Sequence, residues 1–393
     1  DTMIAEWLIN PNSRSLGLKN LAWVRLNYKM TEIEQLIGRG KKQRSMAELR
    51  IDEVAEYASD DAVIPLLLKN ELERELEDNH VLSLFNNIEM PLVHVLADME
   101  MAGIALDVEY LQQFSGDLDE RIGKIKIQIF EVVGSEINLN SPQQLSVALF
   151  DRLQLTPPDR TQKTASGYYS TAAGTLEAMK GEHPVIDWIL EYRELSKLKN
   201  TYVDALPLQV NLDTGRVHTS YNQTGSVTGR IASSDPNLQN IPIRTEVGRK
   251  VRKAFIAEDE RVLLAVDYSQ VELRIVAHMS NDETMLAAFN AGQDIHAATA
   301  AAIFGIPIGQ VSKEQRSRAI GVHFGLIYGM SAFGLSMYVD LTLAEAEDFV
   351  QAYFEQFPGV KNYLDRMKTQ AADSGYVETL LGRRRYFPCL LYT

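Results

Sequence analysis

Two carboxylates five residues apart, Asp267 and Glu272, lie in the stretch VLLAVDYSQVELR (262–274). The run 262–266 is continuously apolar and predicts a buried strand. Asp267 follows at its end, and Glu272 falls where a helical pattern takes over. An acid at a strand tip is placed to hold a hard cation such as Mg2+. That ion takes oxygen ligands, keeps several waters and shares its remaining positions with a substrate phosphate. The same Asp would equally serve as the cap of the following helix.

Other side chains could serve a phosphate-bearing substrate. Arg316, Ile320, Phe324 and Tyr328 recur every four residues and form one slowly drifting stripe on a helix. A cation at one end and rings at the other suit a nucleotide, with guanidinium on phosphates and rings against base and sugar. A plain packing stripe has the same spacing. His296 stands near the start of another predicted helix, where a structural role and a ligand role are both open.

Upstream, 224–244 is a long polar segment with the amides Asn237, Gln239 and Asn240 and the arginines Arg230 and Arg244. Amides and arginines are the side chains that reach base edges and phosphates. RKVRK (249–253) is the densest basic cluster and directly precedes the candidate metal carboxylate. That order suits a nucleic-acid groove ending at a catalytic centre; a polar loop beside a basic surface would read alike. Near the N-terminus, Tyr57 and Asp61 are four apart and share a helix face. A Tyr orienting water beside an Asp on a metal would suit phosphodiester hydrolysis, and an ordinary surface helix fits as well.

These residues need elements to place them. Residues 1–75 predict compact helices with GRGKKQR (38–44) as a loop. Long helices follow, interrupted at Pro91 and Gly103, the second over about 108–133. NLNSP (138–142) signals a turn and N-cap before 143–153, and 156–170 reads as a loop. Helices are predicted at 171–180 and 184–206. The latter carries Lys197, Lys199 and Tyr202, either along a phosphate backbone or on an exposed face. Residues 216–221 alternate like a strand. After 274 the chain reads as helical to about 373 with a break at Pro358-Gly359, and 375–380 with 383–387 predict a hairpin over Leu381-Gly382.

A chain of 393 residues exceeds one ordinary core, so two or more domains are expected. It has no apolar run near the roughly 20 residues that span a membrane, and no signal peptide is visible. The single cysteine, Cys389, excludes an internal disulfide and points to the cytoplasm. The net charge of −14 argues against indiscriminate coating of nucleic acid, while a basic groove on an acidic body stays compatible. Both ends read as cut from a longer protein.

Taken together, DYSQVELR (267–274), TGRIASSDPNLQNIP (228–242), DIH (294–296) and RSRAIGVHFGLIYG (316–329) resemble the motifs of family A DNA polymerases, over essentially the whole chain. The resemblance implies a mixed α+β, right-hand polymerase fold of palm, fingers and thumb. The C-terminal part of a ribonuclease-H-like 3′–5′ exonuclease domain would precede it, with YASDD (57–61) as its third motif. It places the exonuclease part at 1–75 and the polymerase domain at 76–393. Within the latter, the thumb would be about 108–205, the palm about 206–274 and 374–393, and the fingers about 275–373.

The implied reaction is attack of a primer 3′-hydroxyl on the α-phosphate of an incoming deoxynucleotide, with two Mg2+ ions, in DNA replication and repair. Primer–template DNA and deoxynucleoside triphosphates would be the partners of a monomer. By resemblance, Asp267 is the first metal ligand and Tyr268 adds a backbone carbonyl. Glu272 is the steric gate against a 2′-hydroxyl, with Tyr328 stacked near it. Gln270, His296 and Arg316 serve the nucleotide, Arg316 also the catalysis, and Phe324 packs on sugar and base. Arg230, Asn237, Gln239, Asn240 and Arg244 face DNA, where minor-groove acceptors test pair geometry without reading sequence.

Three departures qualify this expectation. Ile320 stands where the family has a Lys that binds phosphate and is proposed to protonate the leaving pyrophosphate; losing such a group costs on the order of 10²–10⁴ in rate. His323 also replaces the usual Asn. The family's second carboxylate motif, His-Asp-Glu, is absent from the sequence. The exonuclease's first two carboxylate motifs are absent too, and Asp61 alone cannot hold two metals. The expectation is therefore a polymerase fragment that is inactive or nearly so by itself. The alternative is a non-catalytic DNA-binding relative.

Overall fold

The structure is a computed structural model and describes residues 1–159, 163–243, 245–339 and 341–388. Helices dominate, with three small antiparallel sheets. The chain divides into two compact units, one of residues 1–90, 227–229 and 265–393, the other of 91–226 and 230–264.

In the 91–264 unit the Val108–Val133 helix lies where the sequence places it. Leu111, Phe114, Leu118, Ile122, Ile125 and Ile129 recur every three or four residues and are buried. This stripe packs against the Pro184–Leu198 helix through a shared core with Val185, Ile186, Ile189 and Leu195. The helix starts where Asp107 accepts the Tyr110 N–H and stops at Gly134, in the left-handed region at φ 77°. The Ile104–Leu106 strand is central in a sheet with Arg216–Val217 and Phe255–Ile256, in register Ile104↔Val217 and Leu106↔Phe255. Gly103 makes the helix-to-strand corner at φ +57°; a Cβ there would stand 2.7 Å from the Val217 carbonyl and the His218 ring.

The strand predicted at 216–221 splits in two. Arg216–Val217 joins the three-stranded sheet, and Ser220–Asn222 pairs with Ala232–Ser234. Between them the buried Thr219 hydroxyl lies 2.7 Å from both Ser233 Oγ and the Pro236 carbonyl, which turns the chain from one sheet to the other. The break predicted at Pro91 does not occur. A π turn at Phe85–Glu89 leads into the Met90–Ala102 helix, and a widened turn accommodates a proline that lacks its N–H.

In the other unit the Thr2–Ile9, Leu18–Leu26 and Ile51–Asp78 helices bury Trp7, Leu21, Leu68, Leu72 and Leu76. Arg25 is nearly buried there and lies 2.6 Å from Glu6, 2.8 Å from Glu71 and 2.7 Å from Glu75. Further on, helices from Val271–Ser280 to Pro358–Ser374 share a core of Leu273, Met285, Val322, Leu326, Tyr353 and Val360. Pro358 opens the last of them, where its missing N–H would be unpaired anyway. The predicted hairpin forms, Tyr376–Glu378 against Arg384–Tyr386.

The buried strand predicted at 262–266 is absent. Among the described residues the run has no ladder partner, and Val262 is 84% and Leu264 83% exposed. An apolar run shows what a segment could bury; it does not supply the neighbouring strand that would pair its backbone. Asp267 therefore stands on an exposed segment without regular structure, not at a buried strand tip.

Candidate functional site

Gln270 leads the exposed segment into the Val271–Ser280 helix. Its backbone is left-handed at φ 55°, a strained choice for a non-glycine residue. Its Oε1 is buried without a hydrogen-bond partner among the described residues, and its Nε2 is 3.5 Å from Asp294 Oδ1. Two residues on, Glu272 accepts a hydrogen bond from the Tyr328 hydroxyl at 3.3 Å.

Asp294 caps the Ile295–Phe304 helix by accepting the Ala297 N–H at 3.1 Å, and its other oxygen accepts from Arg316 Nε at 2.7 Å. Arg316 comes from the Lys313–Ile327 helix, started by a reciprocal capping box between Ser312 and Gln315. That helix buries Ala319, Val322, His323 and Leu326 on one face. Its other face carries the predicted stripe of Arg316, Ile320 and Phe324, ending in Tyr328 at the C-cap. The Phe324 and Tyr328 rings stack 6.3 Å apart at 21°, and Phe324 lies 6.3 Å from the His296 ring. Direct contacts thus form two groups, Gln270–Asp294–Arg316 and Glu272–Tyr328–Phe324–His296, brought together by Asp294 and His296 at the start of one helix.

The electrostatics follow from burial and from one ion pair. His296 is 3% exposed, and among the described residues its Nδ1 has no hydrogen-bond partner. Burial, and then the nearby Arg316, hold this imidazole below its ordinary pKa against a weaker pull from Asp294. Burial alone would raise the Asp294 carboxyl, but Arg316 and the Ala297 N–H outweigh it and hold the group ionised below the usual range. His323 is fully buried, with Nε2 2.7 Å from Thr299 Oγ1 and Nδ1 3.1 Å from the Tyr353 hydroxyl. Burial first, then His296, bring its pKa down to about 3, so the ring is neutral. It meets His296 edge to face at 5.1 Å.

Asp267 and Tyr268 are exposed, Tyr268 at 82%. Oxygen donors of this kind suit Mg2+. Among the described residues, however, no group of three or more His, Cys, Asp or Glu could hold a metal ion. One carboxylate and one carbonyl do not make the two-ion centre the resemblance implies.

In the other unit the polar segment is braced from within. Gln239 donates from Nε2 to the Ile231 carbonyl at 2.9 Å and accepts the Ser233 N–H at 3.2 Å. Asn237 accepts the Gln239 N–H at 3.1 Å, and the Tyr202 hydroxyl donates to the Asn240 carbonyl at 2.6 Å. Arg230, Asn237, Gln239 and Asn240 are all exposed, while Arg244 lies outside the described residues. A cleft of about 890 Å³ is lined by Lys197, Thr201, Tyr202, Asn237 and Asn240. Lys199 does not face it as a free cation; it is bound to Ser115, Asp204 and Asp119 at 2.7–3.2 Å. The basic cluster is also engaged. Arg252 donates to the Ile241 and Pro242 carbonyls, and Arg249 to that of Ile243.

Tyr57 and Asp61 ride the Ile51–Asp78 helix. The Lys19 ammonium sits 5.3 Å over the Tyr57 ring, Asp61 is exposed, and the adjacent Asp60 accepts the Tyr28 hydroxyl at 2.9 Å. Sequence reasoning named Asp294 only within DIH and His323 only as a replacement, and missed the Asp294–Arg316 pair and the Thr299–His323–Tyr353 group. An Asp directly before a helical pattern is a cap signal, and a His among Ala319, Val322 and Leu326 on one helix face marks a buried imidazole.

Comparison with known proteins bears on the whole. DNA polymerase family A matches residues 108–392. The chain is 47% identical over 389 residues to DNA polymerase I of Chloroflexus aurantiacus, covering 98% of this chain and 41% of that protein. It is 43% identical over 390 residues to DNA polymerase I of Pseudomonas aeruginosa, covering 99% of this chain and 42% of that protein. The chain thus spans about two-fifths of the length of these relatives. A solved structure, the POL domain of Pol1 from M. smegmatis in complex with DNA primer-template and dNTP, is similar with a TM-score of 0.84 at 38% identity. That match covers all of this chain and 65% of the other. The mixed, mainly helical fold is accordingly that of a family A polymerase domain, as the motifs led one to expect, and the chain belongs to DNA polymerase family A.

Proposed function

We propose that this chain carries the nucleotide-selecting and primer–template-binding part of a template-directed DNA polymerase. The observation that carries this reading is the pair of groups Gln270–Asp294–Arg316 and Glu272–Tyr328–Phe324–His296 on three helices, which meet where Asp294 and His296 start one helix. Arg316 and His296 supply donors for a triphosphate, and Phe324 and Tyr328 supply stacked rings for base and sugar. Glu272, tied to Tyr328, fills the place where a ribose 2′-hydroxyl would sit and rejects it by clash and unpaired polarity. Arg230, Asn237, Gln239 and Asn240 line the DNA side, and the motif that carries them extends the same role to Arg244, outside the described residues. Residues 1–75 are read as part of an exonuclease domain and 76–393 as polymerase domain. The thumb is about 108–205, the palm about 206–274 and 374–393, and the fingers about 275–373. Primer–template DNA and deoxynucleoside triphosphates are its partners, and it acts as a cytoplasmic monomer.

Catalysis by this chain alone is a separate matter. Asp267 would be one ligand of a Mg2+ ion, but a lone exposed carboxylate does not fit the two-ion centre. Ile320 leaves no ammonium at the middle of the phosphate-facing stripe. The expected outcome of a primer-extension assay with Mg2+ is therefore binding of primer–template with little or no nucleotide addition; robust extension overturns this. Ile320 also favours a second reading, a DNA-binding relative that does not polymerise. Ile320→Lys, made in a longer form of the protein that includes a second carboxylate motif, separates the two. Faster addition supports a polymerase, and no gain supports the binding protein.

A further inference from the structure

We propose that Asp294 is a positioning residue, which holds the Arg316 guanidinium by its Nε edge and leaves the Nη1 and Nη2 edge for the phosphates of the incoming nucleotide. This rests on the nucleotide reading above and adds to it a residue that makes no phosphate contact itself.

Three observations carry it. Asp294 Oδ2 accepts from Arg316 Nε at 2.7 Å, and among the described residues neither Nη of Arg316 has a hydrogen-bond partner. A guanidinium is planar, so fixing Nε fixes the plane and the direction in which the terminal pair points. Asp294 is itself immobilised, because Oδ1 is spent on the Ala297 N–H at 3.1 Å at the start of the Ile295–Phe304 helix. Around this pair stand two buried polar atoms without partners among the described residues. They are His296 Nδ1, two residues along the same helix, and Gln270 Oε1, whose amide nitrogen approaches Asp294 Oδ1 at 3.5 Å. Buried polar atoms left unpaired cost stability, and a ligand that pairs them recovers it. One carboxylate thus joins the turn at Gln270, the helix start at His296 and the cation at Arg316.

The competing account is that Asp294 is only a helix cap. Asp294→Asn separates the two, since Asn caps a helix as well as Asp does but lacks the charge that fixes a guanidinium. The experiment measures binding of a fluorescent deoxynucleoside triphosphate to the full chain with primer–template, in wild type, Asp294→Asn, Arg316→Ala and the double variant. Asp294→Asn is expected to weaken binding about ten-fold, with the melting temperature little changed, and to add nothing in the Arg316→Ala background. An equal loss in both backgrounds, or tighter binding by Asp294→Asn, overturns the proposal. Failure of the wild type to bind nucleotide overturns the function proposed above instead. Asp294 is then judged by nitrogen-15 NMR of the Arg316 Nε–H. Slow exchange in wild type and fast exchange in Asp294→Asn support the hold, and equally fast exchange in both overturns it.

Discussion

His323 shows what a single side chain imposes here. It is sealed between Thr299, Tyr353 and His296, and it is neutral because protonation would place a charge in an apolar core. In the unfolded chain the same ring titrates near 6.5, whereas in the fold it titrates at about 3. Between those values the unfolded state binds a proton that the folded state does not. The contribution to stability is therefore complete above about pH 6.5 and is lost as pH falls toward 3. The loss approaches about 1.4 kcal/mol per pH unit below the unfolded value. Thermal melts between pH 7.5 and 5 should show a steeper fall in melting temperature for wild type than for His323→Asn; parallel curves would rule out His323 as the source. At the same scale, Glu272→Ala should narrow the preference for deoxy- over ribonucleoside triphosphate by about ten-fold or more in competitive binding. An unchanged preference would remove Glu272 from the gate.

The elements were legible where periodicity and caps agree. Val108–Val133 combines a regular apolar stripe, an Asp at the N-cap and a Gly at the C-cap, and the structure follows all three. Lys313–Ile327 starts instead at a capping box, which is a handle on stability: Ser312→Ala should cost about 1 kcal/mol, read from denaturant unfolding. What was not legible depends on neighbours. The 262–266 run looks like a strand because its composition is right, yet a strand exists only through its ladder. The split at 216–221 depends on the Thr219 hydroxyl finding Ser233 and Pro236, and local alternation carries no trace of that. Hydrogen exchange checks this reading. Amides of 262–266 should exchange without protection, while those in the interior of 313–327 should be slow. Protection of 262–266 would mean that a partner strand is present in solution.

At the scale of the whole molecule, net charge and groove chemistry point in opposite directions. A net charge of −14 opposes approach to DNA, so the proposed binding would rest on cations able to meet phosphates. In the segment proposed to face DNA, the number of basic residues overstates the charge available to phosphates. Arg249 and Arg252 aim donors at the carbonyls of residues 241–243 and shape the loop, and Lys199 is neutralised by Asp204 and Asp119. Lys197 is exposed on the cleft beside Asn237 and Asn240, with no ion pair among the described residues. Each phosphate contact contributes about 0.9 to the slope of log affinity against log salt. Lys197→Ala should therefore lower that slope by about one contact. Arg252→Ala should weaken binding at every salt concentration with the slope nearly unchanged, because it loosens the loop that carries the amides. Fluorescence anisotropy of a labelled primer–template between 50 and about 200 mM salt reads both. A full-contact drop in slope for Arg252→Ala would place that guanidinium on DNA, and no drop for Lys197→Ala would take the cleft out of the phosphate track.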